Sequence, residues 1–431
     1  IDSVPYLWAV LLITLLVGAG CGAKNAPRPE AIRVMTYNIE DVRTRDLKRD
    51  DHPRLQRAAA RIQSLAPDVL LVNEMTFDRP GAPGYEPGDP KGQNARRFVE
   101  RYLSVPQANT LNGQSYQTVM LPVNTGIPSG YDLNNDGKVV TEVPELPRSP
   151  RDGSVPKQTL EGRAYGGDAW GFGTFPGQYG MALFVSDDLT VLRDSIRTFR
   201  LFKWSMMPHA ARPVDTTSGQ PWYTPEVWKD LRLSSKSHWD VPVRLPDGTI
   251  LHVLASHPTP PAFDGPARRN DRRNHDEIRF WVDYLSGRAY IEDDSSRGGG
   301  LHDDASFVVV GDLNADPAEE NIFRQAIRDL VRHNRVHQDA TPRASSAGAS
   351  AFRSLDPDDT ARWGKRVDYV LPSANLSIDT SGVWRPDRDA RQPLGREAGP
   401  ALRPAEADST MLPVSDHFPV WMDIRPQSSH Q

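Results

Sequence analysis

The stretch Val308-Val309-Val310-Gly311-Asp312-Leu313-Asn314-Ala315-Asp316-Pro317 decides the fold. Phe307 to Val310 are apolar and mostly β-branched, which predicts a strand buried on both faces. The run stops at Gly311, and a carboxylate and a carboxamide follow at alternate positions. Period two places Asp312 and Asn314 on the same side of the strand end. Such a pair at the mouth of a buried strand is poor core design. It suits the holding of a water or a metal against a phosphate.

On either side of this stretch the same pattern recurs. Ile32 to Asn38 alternates as a first strand, and Asp68 to Glu74 is a second buried one. Between them, Leu55, Ala58, Ala59, Ile62 and Leu65 fall on one helical face, and Pro67 ends that helix. Further strands are expected at Tyr179–Val185, Ile250–Ala255, Arg366–Leu371 and Phe418–Ile424, with helices at Asn274–Leu285 and Glu319–Val331. Strands and helices alternate, and several strands are apolar on both faces. This favours a layered α/β fold, with sheets packed together and helices outside. Residues 79–178 are rich in Gly, Pro, Asn and Asp, with one expected helix, Ala95–Tyr102, and one strand, Gln117–Leu121. They are too long for an idle connection and are expected as an insertion on the rim of the active site. Residues 373–414 read as a second long loop.

Of 431 residues 38% are hydrophobic, enough for one large domain at 31–427. The net charge of −5 advertises no global field for nucleic acid, although a local basic groove can sit on an acidic protein. The single cysteine, Cys21, excludes an intramolecular disulfide. It follows the apolar stretch Leu7–Gly20, which is short for a membrane span and right for a signal-peptide core. Gly18-Ala19-Gly20-Cys21 resembles a bacterial lipobox with Cys21 as the lipidated residue, although Gly18 departs from the usual larger residue. Cleavage near Ala23 and an uncleaved anchor stay open. Residues 1–23 are thus expected as an export signal and 24–30 as a tether. The protein would be a cell-envelope lipoprotein held to a membrane by its N-terminal lipid, or secreted.

Polar residues stand just beyond the buried runs at Asn38-Ile39-Glu40, Asn73-Glu74, Ser256-His257, Asp312-Leu313-Asn314, Asp368-Tyr369 and Ser415-Asp416-His417. Singly, each has a structural reading as a cap, a turn or a salt-bridge partner. Together, and in this order, they resemble the endonuclease/exonuclease/phosphatase superfamily, which includes the deoxyribonuclease I-like enzymes. The resemblance runs from Thr36-Tyr37-Asn38 to Ser415-Asp416-His417-Phe418-Pro419-Val420. It implies a four-layer α/β sandwich of two packed β-sheets flanked by helices, with long loop insertions.

The resemblance also implies roles. Glu74 would be the best metal ligand, with Asn38 beside it as ligand or water-holder and Asp416 as a further metal or water ligand. Oxygen donors without thiolates imply a hard cation, Mg2+ first, with Mn2+ or Ca2+ as substitutes. His417 would contact the scissile phosphate or activate water, oriented by Asp368. Asp312 would orient or deprotonate the nucleophilic water, and Asn314 would bind the phosphate. Whether Asp312 or His417 is the base stays open. His257 looks like the second histidine of deoxyribonuclease I-like members, the general acid there, but no carboxylate partner for it is identifiable.

Other features have two readings each. Lys236, His238 and Asp240 alternate, and could line a groove with Lys236 near phosphate or protect an edge strand. Arg268 and Arg269 begin a dense basic cluster that binds phosphate or forms a solvated ion-pair face, with Asp271 or Asn274 as a helix cap. Trp170–Gly180 could offer aromatics to a substrate or pack the insertion onto the body. Asp132, Asn134 and Asp136 match the first half of a calcium loop spanning 132–143, but position twelve is Val143, so structural Ca2+ competes with a plain Asn-Asp-Gly turn. The expected function is metal-dependent hydrolysis of phosphodiesters, with nucleic acid as the first substrate and partner. Lipid head groups or small phosphate esters are the alternative, and a non-catalytic surface-binding lipoprotein is a third. No protein partner is expected.

Overall fold

Both faces of β1 (Ile32–Val42) are buried, because the strand lies between two different neighbours. The computed structural model describes residues 31–148, 150, 153–339, 341–386 and 414–427. In it, Met35, Tyr37 and Ile39 join a core with Leu55, Ala58, Ala59, Ile62 and Leu65 of the helix Pro53–Leu65. Ile32 and Val34, on the opposite face, join the core shared with a second sheet. The expected export signal with Cys21 and the tether lie outside the described residues, as do residues 387–413 of the second loop. No helix among the described residues is long and apolar enough to cross a membrane.

The remaining strands are β2 (Val69–Met75), β3 (Tyr116–Val119), β4 (Met181–Ser186), β5 (Thr190–Val191), β6 (Arg197–Thr198), β7 (His238–Arg244), β8 (Ile250–Ser256), β9 (Ser306–Asp312), β10 (Asp368–Pro372), β11 (Leu376–Val383) and β12 (Val420–Pro426). The first sheet runs β11-β12-β1-β2-β4-β3. The second runs β10-β9-β8-β7-β5, with β6 also on β7. Each sheet has one parallel pair, β1/β2 and β8/β9, and its other pairs are antiparallel. Each parallel pair is joined by a helical crossover, Pro53–Leu65 in one and Arg269–Leu285 in the other. Two mixed sheets lie face to face with helices outside, the four-layer α/β sandwich the sequence implies.

Several expected elements shift. β3 adds an edge strand to the first sheet, and Phe98 and Tyr102 join the core under the first crossover helix, so part of 79–178 belongs to the body. β11, inside the expected 373–414 loop, pairs with β12 through a register shift. Its run Ser377-Ile378-Asp379-Thr380-Ser381-Gly382 is mostly polar and half-exposed, which fits an edge strand, and Ile378 is its one large apolar residue. β7 is internal to its sheet, so the edge-strand reading of Lys236–Asp240 does not apply. His238 lies in the core between Phe280 and Trp281.

Val308, Val309 and Val310 of β9 are fully buried, and each contributes about 1.5–3 kcal/mol of apolar burial. Gly311 follows at φ +147, where a β-carbon would sit 2.0 Å from the Ser256 carbonyl oxygen of the neighbouring strand. Only glycine lets β8 and β9 stay paired up to the site. Gly311→Ala is therefore expected to destabilise the protein by about 2–4 kcal/mol through overlap and backbone strain. Equilibrium urea unfolding measures this, and a loss under about 0.5 kcal/mol would refute the packing argument.

Candidate active site

The C-terminal ends of both parallel pairs meet at one edge of the sandwich, the usual place for chemistry in α/β folds. Asn38 ends the inner face of β1, and Asp312 ends β9 on the facing sheet. The Asn38 Nδ2 donates to Asp312 Oδ2 at 3.0 Å and to Glu74 Oε1 at 3.1 Å, so one amide bridges the two sheets. Its Oδ1 accepts from the Glu40 N–H at 2.9 Å. Asn38 thus presents its donor side to both carboxylates and spaces them. A second bond between the sheets runs from the Asp312 N–H to Asn73 Oδ1 at 3.3 Å.

Strict alternation would send Glu74 outward with Leu70 and Val72, under the helix. Its backbone is left-handed instead, with φ +66, and this turns the carboxylate back toward Asn38. Glu40 (φ +56), Asp41 (φ +41) and Asn314 (φ +52) are also left-handed. Left-handed non-glycine residues gathered at the strand ends mark stored strain of the kind found at functional sites.

His417 stands at the centre. Its Nδ1 lies 2.8 Å from Asp368 Oδ2, and its Nε2 lies 3.7 Å from Asp312 Oδ2 and 3.8 Å from Asp416 Oδ1. Register places Asp368 directly opposite Asp312 across β10 and β9. Burial works against a charged His417 ring, but Asp368 and Asp312 overcome it and raise its pKa well above the ordinary histidine value. Burial pushes Asp368 up to about 6. Burial also opposes ionisation of Asp312, yet His417 and His257 outweigh it and hold this carboxyl below the usual carboxylate range.

His257 follows β8, with Nε2 3.4 Å from Asp312 Oδ2. The carboxylate facing this histidine is therefore Asp312 itself, and its Nδ1 is buried without a hydrogen-bond partner. Burial, then the neighbouring Lys236 charge, lower its pKa to about 4, so the ring is neutral near pH 7. A neutral ring donates a hydrogen bond but is not a resting general acid. Asn314 donates from its amide to the Pro258 carbonyl at 3.2 Å, and its N–H donates to Asp312 Oδ1 at 2.9 Å. Lys236 is buried beside this group, its Nζ donating to the Pro258 carbonyl at 3.3 Å, and burial lowers its pKa against the pull of Glu277, Glu74 and Asp312.

One face of the helix Arg269–Leu285 holds these segments. Asn274 donates to the carbonyls of Thr259 and Leu313, both at 2.9 Å. Glu277 accepts from the N–H groups of Ser235 and Thr259, both at 2.6 Å, and Trp281 donates to Ser256 Oγ at 2.8 Å. The spacing i, i+3, i+7 puts all three on one side. Asn274 is therefore no cap. Asp264 caps this helix, accepting from the N–H groups of Asn270 and Asp271. On the other side, buried Arg54 donates to the carbonyls of Ile39, Glu40 and Val414, tying the end of β1 to the segment before His417.

The remaining expected residues stay apart. Arg268 pairs with Asp271 and lies over Phe323, while Arg269 donates to the Leu133 carbonyl and lies over Trp222. Both are held by the protein itself. Asp132, Asn134 and Asp136 each accept from the N–H groups of Asp136, Gly137 or Lys138, bonds that an Asn-Asp-Gly turn and the first half of a calcium loop share. Trp170 and Phe175 pack into the body, and Phe172 is exposed.

Two residues were given no role by the sequence reading. Glu40 is raised by burial and by Asp416, and it adds a third acid to Glu74 and Asp416 around His417. Trp363, 50% exposed, stands edge-on to the His417 ring at 5.0 Å. An aromatic followed by glycine in the loop before Asp368 was the available signal. Trp363→Ala is expected to raise KM for an aromatic phosphodiester about threefold to tenfold by losing a stacking surface, with stability nearly unchanged. Steady-state kinetics on bis-p-nitrophenyl phosphate would show it, and an unchanged KM would remove Trp363 from the binding surface.

Among the described residues, Asp312, Asp368 and His417 bring ligand atoms within 4.8 Å of one another. These three form a histidine held between two carboxylates, with Asp368 Oδ1 buried without a hydrogen-bond partner. Glu74 differs, because its direct partners are neutral amides, and burial pushes its carboxyl up to about 7. Oxygen donors with uncompensated negative charge fit a hard divalent cation better there.

The model of the endonuclease/exonuclease/phosphatase family matches residues 35–417, from β1 to His417. The chain belongs to this family. Nucleases and phosphatases make up the family, and its members are hydrolases that typically depend on a divalent metal. No match was found among curated proteins. Among solved structures, the chain is similar to an endonuclease/exonuclease/phosphatase from Beutenbergia cavernae DSM 12333, with 17% identity, TM-score 0.46 and coverage of 92% of this chain and 72% of that one. The human Nocturnin catalytic domain with bound sulfate shows 14% identity, TM-score 0.42 and coverage of 93% and 96%. A mannosyl-6-phosphatase from Bacteroides thetaiotaomicron VPI-5482 shows 13%, 0.41, 91% and 99% for the same measures.

Proposed function

We propose that this family member is a metal-dependent phosphodiesterase whose first substrate is nucleic acid. The observation that carries the proposal is the chain of contacts Asp368–His417–Asp312–Asn38–Glu74, which sets a charged histidine beside an ionised aspartate and an uncompensated carboxylate. Glu74 and Asp416 would hold Mg2+, with Mn2+ or Ca2+ as substitutes and Glu40 within the same acidic group. When bound, the cation supplies neutralisation of charge on the phosphoryl and leaving oxygens.

The protein's own residues divide the remaining work. Asp312, ionised, orients the attacking water and accepts its proton. His417, protonated and fixed by Asp368, donates from Nε2 to a phosphate oxygen or to the leaving oxygen. His257, neutral, donates a hydrogen bond, and Lys236 offers a buried positive charge. Asn314, fixed on the Pro258 carbonyl, presents its amide to the phosphate. Asn38 keeps Asp312 and Glu74 at a set separation. Cys21 would tether this activity to the outside of a membrane, which palmitate labelling that disappears in Cys21→Ala would test.

The test is turnover with Mg2+ of plasmid DNA, bis-p-nitrophenyl phosphate and p-nitrophenyl phosphate. Cleavage of the first two but not the third supports a nuclease. Cleavage of the monoester alone would replace it with a phosphatase. No turnover of any would leave a surface-binding protein and overturn the enzymatic reading.

A further inference from the structure

Glu277 is fully buried midway along the helix Arg269–Leu285, and a carboxylate is costly to bury unless its oxygens are bonded. Each oxygen is spent on a backbone group. Oε1 accepts from the Ser235 N–H and Oε2 from the Thr259 N–H, both at 2.6 Å. The Glu277 carbonyl oxygen lies 2.8 Å from His238 Nε2. Burial lowers the pKa of His238 to about 4, so the ring is neutral. A carbonyl only accepts, so Nε2 donates to it, and Nδ1 accepts from Ser234 Oγ at 2.9 Å. One residue thus grips the 234–238 segment at Ser235 and at His238, and the segment after β8 at Thr259.

These anchor points adjoin pocket residues. Ser235 precedes Lys236, and Thr259 follows His257-Pro258. The Pro258 carbonyl accepts from Lys236 Nζ at 3.3 Å and from Asn314 Nδ2 at 3.2 Å. Lys236 and Asn314 therefore converge on one oxygen, whose place is set by the Thr259 anchor beside it. Lys236 is 4% exposed, and among the described residues Pro258 is the only hydrogen-bond acceptor of its ammonium group. Its other N–H groups stay unspent for an anion. The anions facing Lys236 are Glu277, Glu74 and Asp312, with Glu277 contributing the most, while burial and Arg273 oppose its charge. His257, nearby, is neutral.

We propose that Glu277 is a positioning residue for phosphate binding: by fixing Ser235 and Thr259 it sets Lys236 and Asn314 around one carbonyl, and its negative charge keeps Lys236 a cation there. The proposal rests on the phosphodiesterase reading and deepens it, because it names the residue that makes the Lys236 side of the pocket a fixed cradle for an anion. A side chain holds a substrate atom in place only if the backbone beneath it is fixed.

The experiment reads anion binding rather than turnover. Sulfate keeps its double charge from pH 6 to 9, and it is titrated by calorimetry into the full-length protein with Mg2+. The proteins compared are wild type, Glu277→Gln, Glu277→Asp and Lys236→Met, with each Glu277 variant also made in the Lys236→Met background. Glu277→Gln keeps the size and loses the charge. It is expected to bind sulfate about threefold more weakly at pH 6 and about tenfold more weakly at pH 9. Without the Glu277 charge the Lys236 ammonium loses its proton at lower pH, so the gap widens as pH rises. Glu277→Asp keeps the charge on a shorter stem, and should weaken binding by a factor nearly independent of pH. In the Lys236→Met background either change should cost less than about twofold, as expected of one residue acting through another. A glutamate that only supports the fold would lower the thermal midpoint and weaken sulfate binding by one factor at every pH and in both backgrounds. That pattern, or equal affinities for wild type and Glu277→Gln, overturns the proposal. If Glu277→Gln does not fold, the Glu277→Asp comparison in the two backgrounds decides it by the same criterion. Failure of the turnover assays with the sulfate difference intact would overturn the phosphodiesterase reading alone.

Discussion

Replacing Asp312 with alanine is expected to lower kcat on bis-p-nitrophenyl phosphate by about 10^3-fold, the range of a missing general base or water-orienting group. Asp312 is where the two sheets meet chemically. It accepts from Asn38 at 3.0 Å, faces Nε2 of His257 at 3.4 Å and Nε2 of His417 at 3.7 Å. Removing it takes the carboxylate that faces buried His257, drops one of the anions that keep His417 charged, and leaves the Asn38 amide with Glu74. Asp312→Asn keeps the volume and loses the charge, so it should cost nearly as much in rate. Its alkaline limb should shift to lower pH, because the pKa of His417, which acts in its protonated form, falls toward the ordinary histidine value. These residues act as a unit, so the combined Asp312→Ala/His417→Ala loss should be far smaller than the product of the single losses. A fall of less than tenfold in Asp312→Ala would remove Asp312 from the catalytic centre.

Glu74→Gln is expected to do two opposite things. It should lower kcat by about 10^2-fold or more and raise the Mg2+ concentration needed for half-maximal activity. It should also stabilise the metal-free protein. The carboxyl of Glu74 is raised from 4.5 to about 7 by burial, with no cation bonded to it. Between those values the unfolded chain has released a proton that the folded chain still holds, so stability falls as pH rises from 4.5 to 7 and is flat above that. Allowing for partial exposure, the fall is about 2 kcal/mol. Asp368, raised by burial, and His417, raised by Asp368 and Asp312 against its burial, slope the same way, and Asp312 slopes oppositely at lower pH. The difference between wild type and Glu74→Gln isolates the Glu74 contribution. Urea unfolding in EDTA at pH 5, 6, 7 and 8 should show the two proteins converging at the acid end and the variant ahead at pH 7. Adding Mg2+ should restore wild type by binding the ionised site and do little for the variant. Parallel pH curves would show that Glu74 is not the uncompensated charge described here.

The four layers were readable because hydrophobic period is local. Val308–Val310 is apolar at every position, and Leu55, Ala58, Ala59, Ile62 and Leu65 repeat at helical spacing, so each segment declares its own burial. The family was readable because its polar residues fall just past those segments. β11 was not, because an edge strand is held by backbone hydrogen bonds to β12, and these leave no mark on side-chain type. Asn274 looked like a cap and is instead a clamp inside the helix. Which N–H groups a side chain reaches depends on where the preceding loop turns, and Asp264 takes the capping position. The basic pair Arg268 and Arg269 looked as available for phosphate as Lys236 did. Tertiary packing gave the first two to Asp271, Phe323 and Trp222 and buried the third beside Glu74.

By itself the sequence determined the main buried strands, the helices between them, the family and the set of residues at strand ends, all of which follow from short-range pattern and residue chemistry. Tertiary structure alone decided how that set divides. Burial and charge at a distance make His417 cationic and His257 neutral, the donor side of Asn38 faces the carboxylates, and a left-handed turn at Glu74 sends its carboxylate into the pocket. Asp312 and Asn314 were visible as a polar pair. That one is the hub of two histidines and the other a brace on Pro258 depends on contacts between chain segments far apart in sequence, whose electrostatic strength is set by the solvent the fold excludes.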